Sequence, residues 1–310
     1  MKDHFVIGSR GSKLALTQSE WVKARLKLVN PEIEVRLEII KTSGDVKTEP
    51  LSVIGGQGVF TKELEEALLD GRIDIAVHSL KDLPTLVPEQ LRIAAICERE
   101  DPRDALVLGP SVEPGTASNM SIKSLPIHSV VGTSSPRRLA QLKHTRGDLV
   151  IKDLRGNVDT RLRKLDEGQY DALILASAGL KRMGLTTRIS TPIPTEQMLP
   201  AVGQGAIALE TRASDEESAR SVSKLNHEPT QQACQAERAM LRALGGGCQL
   251  PIAGHAIVYY RELRLEGLIA ARDGKQVVRD HLSGPTNEAE RIGAQLAARL
   301  LERGADRLLR

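Results

Sequence analysis

Two short stretches carry the same punctuation, Gly71-Arg72-Ile73-Asp74 and Gly168-Gln169-Tyr170-Asp171. Each follows a helical pattern and leads into an apolar run. The glycine reads as a helix C-terminal stop, and the run reads as a buried strand. Upstream of each lies a similar opening, Val6-Ile7-Gly8-Ser9 and Val130-Val131-Gly132-Thr133, which passes through serine and basic residues into a helix. A chain ordered this way is constrained to two α/β domains of similar build. Related ancestry and shared local punctuation both produce this pattern. In either case ligand loops belong at the C-terminal ends of the strands.

Strands are expected at 5–8, 34–40, 73–77, 149–154, 170–175 and 205–210. Helices are expected at 13–28, with Ser12 as N-cap, and at 61–69 and 161–167. The stretch 42–58 is polar and glycine-rich, and loops of that length are often lids. The chain crosses into the second domain near Glu100 to Asp104 and returns through Thr191-Pro192-Ile193-Pro194. The strand at 205–210 is expected to rejoin the first sheet. From about Asp215 the pattern changes. A helix at 231–244 precedes two strands, 263–271 and 276–281, joined through Arg272-Asp273-Gly274-Lys275, a hairpin signal. A last helix spans 287–302. The expected domains are 1–100 with 197–218, then 101–196, then a small α+β domain at 219–310. A chain of 310 residues exceeds what one core usually holds.

The chain carries 43 basic and 40 acidic residues, a net charge of +3. That near-balance argues against a nucleic-acid binder, which carries a strong basic excess. Cys97, Cys234 and Cys248 form no zinc spacing and no disulfide framework, so no metal is expected and a reducing cytoplasm fits. The first residues lack the apolar run of a signal peptide, and no stretch is long and apolar enough for a membrane helix. No long amphipathic stripe stands out, so a monomer is expected.

The basic residues of interest sit at loop-to-helix junctions. Gly132-Thr133-Ser134-Ser135-Pro136-Arg137-Arg138 follows a strand and opens a helix. Exposed N–H groups, hydroxyls and the helix dipole favour an anion there. Arg155-Gly156-Asn157-Val158-Asp159-Thr160-Arg161 repeats the logic, Arg10 holds the matching place in the first domain, and Lys181-Arg182 follows another strand. Any one arginine is equally a solvated helix-start charge; together they point to a polyanionic ligand. No phosphate loop or dinucleotide fingerprint is present, so multiple carboxylates remain open. His78-Ser79-Leu80-Lys81-Asp82-Leu83-Pro84 puts an acid beside a lysine after a strand. It suits stabilisation of a cationic intermediate or an ordinary turn. His78 reads as a local hydrogen-bonding support. Gly245-Gly246-Gly247-Cys248 is either a turn around a small buried cysteine or a presented thiol.

Taken together, these segments resemble the porphobilinogen deaminase family, enzymes of tetrapyrrole biosynthesis. The resemblance runs through Ile7-Gly8-Ser9-Arg10, Thr42-Ser43-Gly44-Asp45, Gly55 to Leu64, Ala76 to Pro84, Cys97 to Asp104, Val131 to Arg138, Leu154 to Arg161, Leu199 to Gly205, Glu237-Arg238 and Gly245 to Pro251. It implies an α/β fold of two bilobal anion-binding-protein-like domains plus a small α+β C-terminal domain, with a cleft between the first two. It also implies a dipyrromethane cofactor, joined by a thioether to Cys248. The implied reaction joins four porphobilinogens head to tail with loss of ammonia, giving linear hydroxymethylbilane.

Under that resemblance Asp82 is the catalytic acid, binding pyrrole N–H groups as they pass through cationic states. Lys81, Ser12, Thr133, Ser134, Ser135, Arg137, Arg138 and Arg161 are the implied cofactor contacts. Arg10, Gln18, Arg155 and Arg182 are the implied partners of porphobilinogen and the growing pyrrole chain. Phe60 either stacks on a pyrrole or anchors a helix start. Gln57 stands where the family often has lysine, and Pro136 replaces a more usual aliphatic residue. A non-catalytic bilobal anion binder and a phosphate-handling transferase are the competing readings.

Overall fold

A computed structural model describes residues 4–42, 61–112, 121–247 and 250–309. The described chain forms two compact units. One comprises Met1–Glu100 with Ala206–Gln232, the other Asp101–Gly205 with Ala233–Arg310.

In the first unit, β1 (His4–Arg10) leads into α1 (Lys13–Val29), and β2 (Glu34–Ile40) follows. Ser12 caps α1, its Oγ accepting from the Ala15 N–H at 3.3 Å. Then come α2 (Lys62–Leu69), β3 (Ile75–Ser79), a 3-10 turn (Leu80–Asp82) and β4 (Leu91–Ile96). In the second unit the order is β5 (Asp104–Leu108), β6 (Val130–Gly132), α3 (Pro136–Thr145), β7 (Val150–Lys152), α4 (Val158–Asp166), β8 (Ala172–Ala176), α5 (Ser177–Arg182) and β9 (Thr191–Pro192). The chain returns to the first unit with β10 (Ile207–Arg212) and α6 (Glu216–Ser223). The remaining elements are α7 (Glu228–Ala243), β11 (Ile252–Tyr259), β12 (Glu262–Ala270), β13 (Val277–Pro285) and α8 (Ala289–Glu302).

The first sheet has the order β2-β1-β3-β10-β4, and the second has the order β7-β6-β8-β5-β9. In each, the first three strands are parallel and the fourth is antiparallel to both neighbours. The expected return of 205–210 to the first sheet is therefore observed as β10.

The repeated sequence punctuation does the same physical work twice. Gly71 and Gly168 have φ of +73° and +74°. The next residue donates back across the helix end, Arg72 N–H to Ala67 O and Gln169 N–H to Lys164 O. This is a left-handed C-terminal cap that satisfies orphan carbonyls. Ile73 and Tyr170 then pack over the glycine of the opening strand. A Cβ on Gly8 would lie 2.3 Å from Ile73 Cδ1, and one on Gly132 would lie 2.8 Å from Tyr170 Cδ1. Asp74 and Asp171 complete the unit. Each accepts from the first parallel strand, Val6 N–H at 2.9 Å and Val130 N–H at 2.7 Å. Because Ile73 and Asp74 are spent in this way, β3 starts later than the apolar run suggests and carries His78 and Ser79.

The first core holds Phe5, Ile7, Val22, Leu26 and Ile75, all at most 1% exposed. Phe5 is thus a packing residue, while Phe60 lies outside the described residues. The third sheet, β11-β12-β13, is antiparallel. The sequence reading anticipates β12 and β13 but misses β11. Its apolar residues fill a core with Met240, Leu296 and Leu300. Glu237 is fully buried and accepts from Gly203 N–H and Ala256 N–H, so α7 ties the return segment to this sheet.

α8 packs on α7 at Gly293, where a Cβ would sit 2.3 Å from the Ala236 carbonyl oxygen and 2.8 Å from the Met240 nitrogen. Backbone atoms cannot rotate away, so overpacking costs about 1–3 kcal/mol. Gly293→Ala is expected to lower the urea midpoint accordingly. An unchanged midpoint would show that the helices separate freely.

Candidate active site

In the first unit, four residues singled out from the sequence meet in one pocket at the C-terminal ends of β1 and β3. Arg10, Ser12, Gln18 and Asp82 line it, with Thr61, His78 and Ser79. Arg10 ends β1, Ser12 and Gln18 come from the start of α1, and Asp82 is exposed at the end of the 3-10 turn. Gln18 is buried and engages Ser79 in both directions. Its Nε2 donates to Ser79 Oγ at 3.0 Å, and that hydroxyl reaches Gln18 Oε1 at 3.2 Å. Lys81 precedes Asp82 in the same turn and is half-buried.

Behind the pocket, His78 Nε2 lies 3.0 Å from Glu210 Oε2. β3 and β10 are paired with His78 opposite Ala208 and Ala76 opposite Glu210. Even spacing along both strands puts His78 and Glu210 on one face. The expectation that His78 supports local hydrogen bonds agrees with this contact. Glu210 itself shows no spacing signal, because it is an acid inside an apolar strand.

In the second unit, the hydroxyl loop precedes α3. Thr133 Oγ1 accepts from Ser135 N–H at 3.2 Å, and Ser135 caps the helix, its Oγ accepting from Arg138 N–H. Ser134 Oγ bridges to Leu154, donating to its carbonyl at 2.7 Å and accepting from its N–H at 2.9 Å. That bridge brings the Thr133–Ser135 loop beside the loop that carries Arg155 and leads into α4, where Arg161 sits. Arg155 contacts Asp153 at 3.0 Å, and Arg161 donates to the Gly156 carbonyl at 2.7 Å. No acidic residue occupies the first turn of α3.

Arg137 and Arg138 open a helix as the sequence suggests, but they are less exposed than a loop-to-helix junction implies. Both are buried in the first turn of α3 against the fully buried Asp104. Arg137 Nη1 reaches Asp104 Oδ2 at 2.7 Å and the Leu199 carbonyl at 2.8 Å. Arg138 grips Asp104 Oδ1 through Nε and Nη2, and donates to the Ile174 carbonyl. Gln204 Nε2 adds a bond to Asp104 at 2.9 Å. Two guanidiniums cannot be buried without a carboxylate. Burial alone would raise the Asp104 carboxyl, but Arg137 and Arg138 outweigh it and hold it well below the usual carboxylate range. Asp104 was missed as a site residue, because an acid that starts a strand carries no recognisable spacing.

Lys181 and Arg182 occupy the last turn of α5 rather than a loop. Arg182 donates to the Gly205 carbonyl at 2.7 Å, and Lys181 contacts Asp101 at 3.1 Å. Burial would raise Asp101, but hydrogen bonds from Arg103 and Lys181 bring it down to about 2. Cys248, Gln57, Phe60 and the stretch expected as a lid, all but Thr42 of 42–58, lie outside the described residues. Cys97 and Cys234 are buried and in no disulfide. Among the described residues no cluster of three or more His, Cys, Asp or Glu is placed to hold a metal, and no helix is long and apolar enough to cross a membrane.

Fold and site thus define a mixed α/β protein with hydroxyl- and arginine-bearing loops at its strand ends and an acid at the mouth of a pocket. The family model for the porphobilinogen deaminase dipyrromethane cofactor binding domain matches residues 5–220, and that for the porphobilinogen deaminase C-terminal domain matches 231–302. The chain belongs to the porphobilinogen deaminase family. It is 51% identical to porphobilinogen deaminase of Pelobacter propionicus, over 98% of this chain and 95% of that one. It is 48% identical to porphobilinogen deaminase of Synechococcus elongatus, over 98% and 93%. Among solved structures it is similar to the methionine binding protein MetQ at a TM-score of 0.45 and 14% identity, covering 74% of this chain and 91% of that one. The family is one of transferases that assemble porphobilinogen on a dipyrromethane cofactor, so the non-catalytic binder and the phosphate transferase fall away.

Proposed function

We propose that this chain makes hydroxymethylbilane from four porphobilinogens with Asp82 as the catalytic residue and Cys248 as the thioether anchor of the cofactor. The observation that carries the reading is the single pocket uniting Arg10, Ser12, Gln18 and Asp82 in a chain of this family. The residues present fit a polycarboxylate group. The Asp104 cluster holds two arginines on one carboxylate and so keeps an excess of one positive charge. The first turn of α3 leaves its N-terminal dipole without an acidic side chain.

When bound, the dipyrromethane supplies a pyrrole with a free α-carbon as the nucleophile that is extended. The chain's own residues do the rest. Asp82 binds pyrrole N–H groups and stabilises the positive charge that develops when ammonia leaves. Arg10, Arg155 and Arg182 receive acetate and propionate groups of substrate and product chain. Thr133, Ser134, Ser135, Arg161, Ser12 and Lys81 hold the cofactor, and Arg137 and Arg138, buried on Asp104, lend it charge from beneath the start of α3. Guanidinium forks suit carboxylates because they donate two parallel bonds. The reading includes a metal-free monomer working in the cytoplasm.

The test is the intact mass of the purified chain, before and after Cys248→Ser. The expected result is an excess of two porphobilinogen units less the ammonia lost, absent in the variant. Persistence of the adduct in the variant would move the anchor to Cys97 or Cys234. If the wild-type mass is unmodified, porphobilinogen is added and the mass measured again; no adduct then overturns the reading.

A further inference from the structure

The His78–Glu210 pair is not used by the roles above. Glu210 is fully buried on β10, and its Oε1 has no hydrogen-bond partner among the described residues. Its one partner is the His78 imidazole, through Oε2. A buried carboxylate held by a single imidazole fixes the ring by one nitrogen and leaves the other for chemistry. With Glu210 accepting at Nε2, the neutral tautomer carries its proton on Nε2 and a lone pair on Nδ1. No described residue bonds to that Nδ1. His78 lines the same pocket as Arg10 and Asp82.

We propose that His78 is a second catalytic residue, the general base that removes the α-hydrogen of the pyrrole being extended, with Glu210 as its positioning residue. The inference rests on the reaction assigned above. In each addition the substrate's C–N bond breaks and ammonia leaves. A C–C bond then forms between the freed methylene and the pyrrole α-carbon. Next the α-C–H bond breaks, its electron pair returns to the ring, and the proton goes to His78 Nδ1 and on to water. Asp82 is poorly suited to that last step, because its assigned role is to stay on the N–H side of the ring throughout. Two groups with separate roles resolve the conflict, as in other acid–base pairs set apart by environment. The charged groups facing His78 are Glu210 from β10, Glu65 from α2, Arg10 from β1 and Asp82 from the turn. Burial first and then Glu210 raise the Glu65 carboxyl.

The experiment uses the full-length, cofactor-loaded enzyme and its His78→Gln variant, whose amide keeps a donor for Glu210 but offers no base. Porphobilinogen deuterated at its free α-position is compared with the ordinary substrate across pH. The expected result is a loss of turnover of about 100-fold, a rise in the deuterium effect, disappearance of the acid limb of the pH profile, and an unchanged cofactor mass. Loss of turnover with no change in isotope effect or pH profile would mean a structural role and overturn the proposal. So would unchanged turnover. Absence of bilane from the wild type would instead sink the reaction assignment. If His78→Gln does not fold, Glu210→Gln and imidazole nitrogen NMR of the wild type decide. The Glu210 variant should lower turnover and raise the deuterium effect, because the ring is no longer held by its Nε2. The neutral His78 ring should carry its proton on Nε2; a proton on Nδ1 overturns the proposal.

Discussion

Asp82→Asn is expected to keep the fold and the covalent cofactor yet lose bilane synthesis by at least about 100-fold, the scale of a lost electrostatic or acid–base group. Asn matches the size of Asp, and the side chain is exposed at the end of a short turn, so folding does not depend on its charge. What disappears is a negative charge beside a ring that becomes positive. The amide also turns one acceptor into a donor, which opposes a pyrrole N–H. Intact mass checks cofactor retention, and bilane formation from porphobilinogen checks turnover. Full turnover would remove Asp82 from the mechanism.

Asp104→Ala is expected to be the most destabilising single change in the second unit, by about 3–5 kcal/mol. The side chain is fully buried and meets Arg137 and Arg138 at 2.7 Å. Its removal strands two buried guanidiniums, and Gln204 loses a partner. Chemical denaturation measures the loss. The pH dependence gives an independent check, because the folded carboxyl is held well below its ordinary value. A carboxylate depressed on folding stabilises fully above its unfolded value, roughly pH 4. That contribution is lost as pH falls toward the folded value. The wild type should therefore lose stability below about pH 4, and the variant should lose less over the same window. Equal acid sensitivity would show that Asp104 is not the coupled group.

The two predictions separate kinds of legibility. Asp82 was readable because it follows a strand, beside a lysine, in a segment shared with a known family. Asp104 was not, although it lies in another such segment. Its importance comes from two arginines more than thirty residues away in the chain, and no local spacing encodes that distance. The arginines are legible as residues of a helix start, but their burial on Asp104 is not. A helix-start arginine looks alike whether it faces solvent, a ligand or a buried acid. β11 is not legible because its first residues are buried on both faces and give no clean alternation after the glycine-rich bend.

The sequence by itself determined the α/β character of the chain, the paired glycine–aspartate units that organise its two parallel sheets, the family, and the residues at the strand ends. These are local properties, set by helix caps, strand periods and contiguous motifs. Only the tertiary structure decided which of those residues are already committed to one another. It buried Arg137 and Arg138 on Asp104, paired Gln18 with Ser79, and set His78 on Glu210 beneath the pocket that holds Asp82. Charge compensation in a low-dielectric interior depends on distances in space, and those distances exist only once the strands have paired.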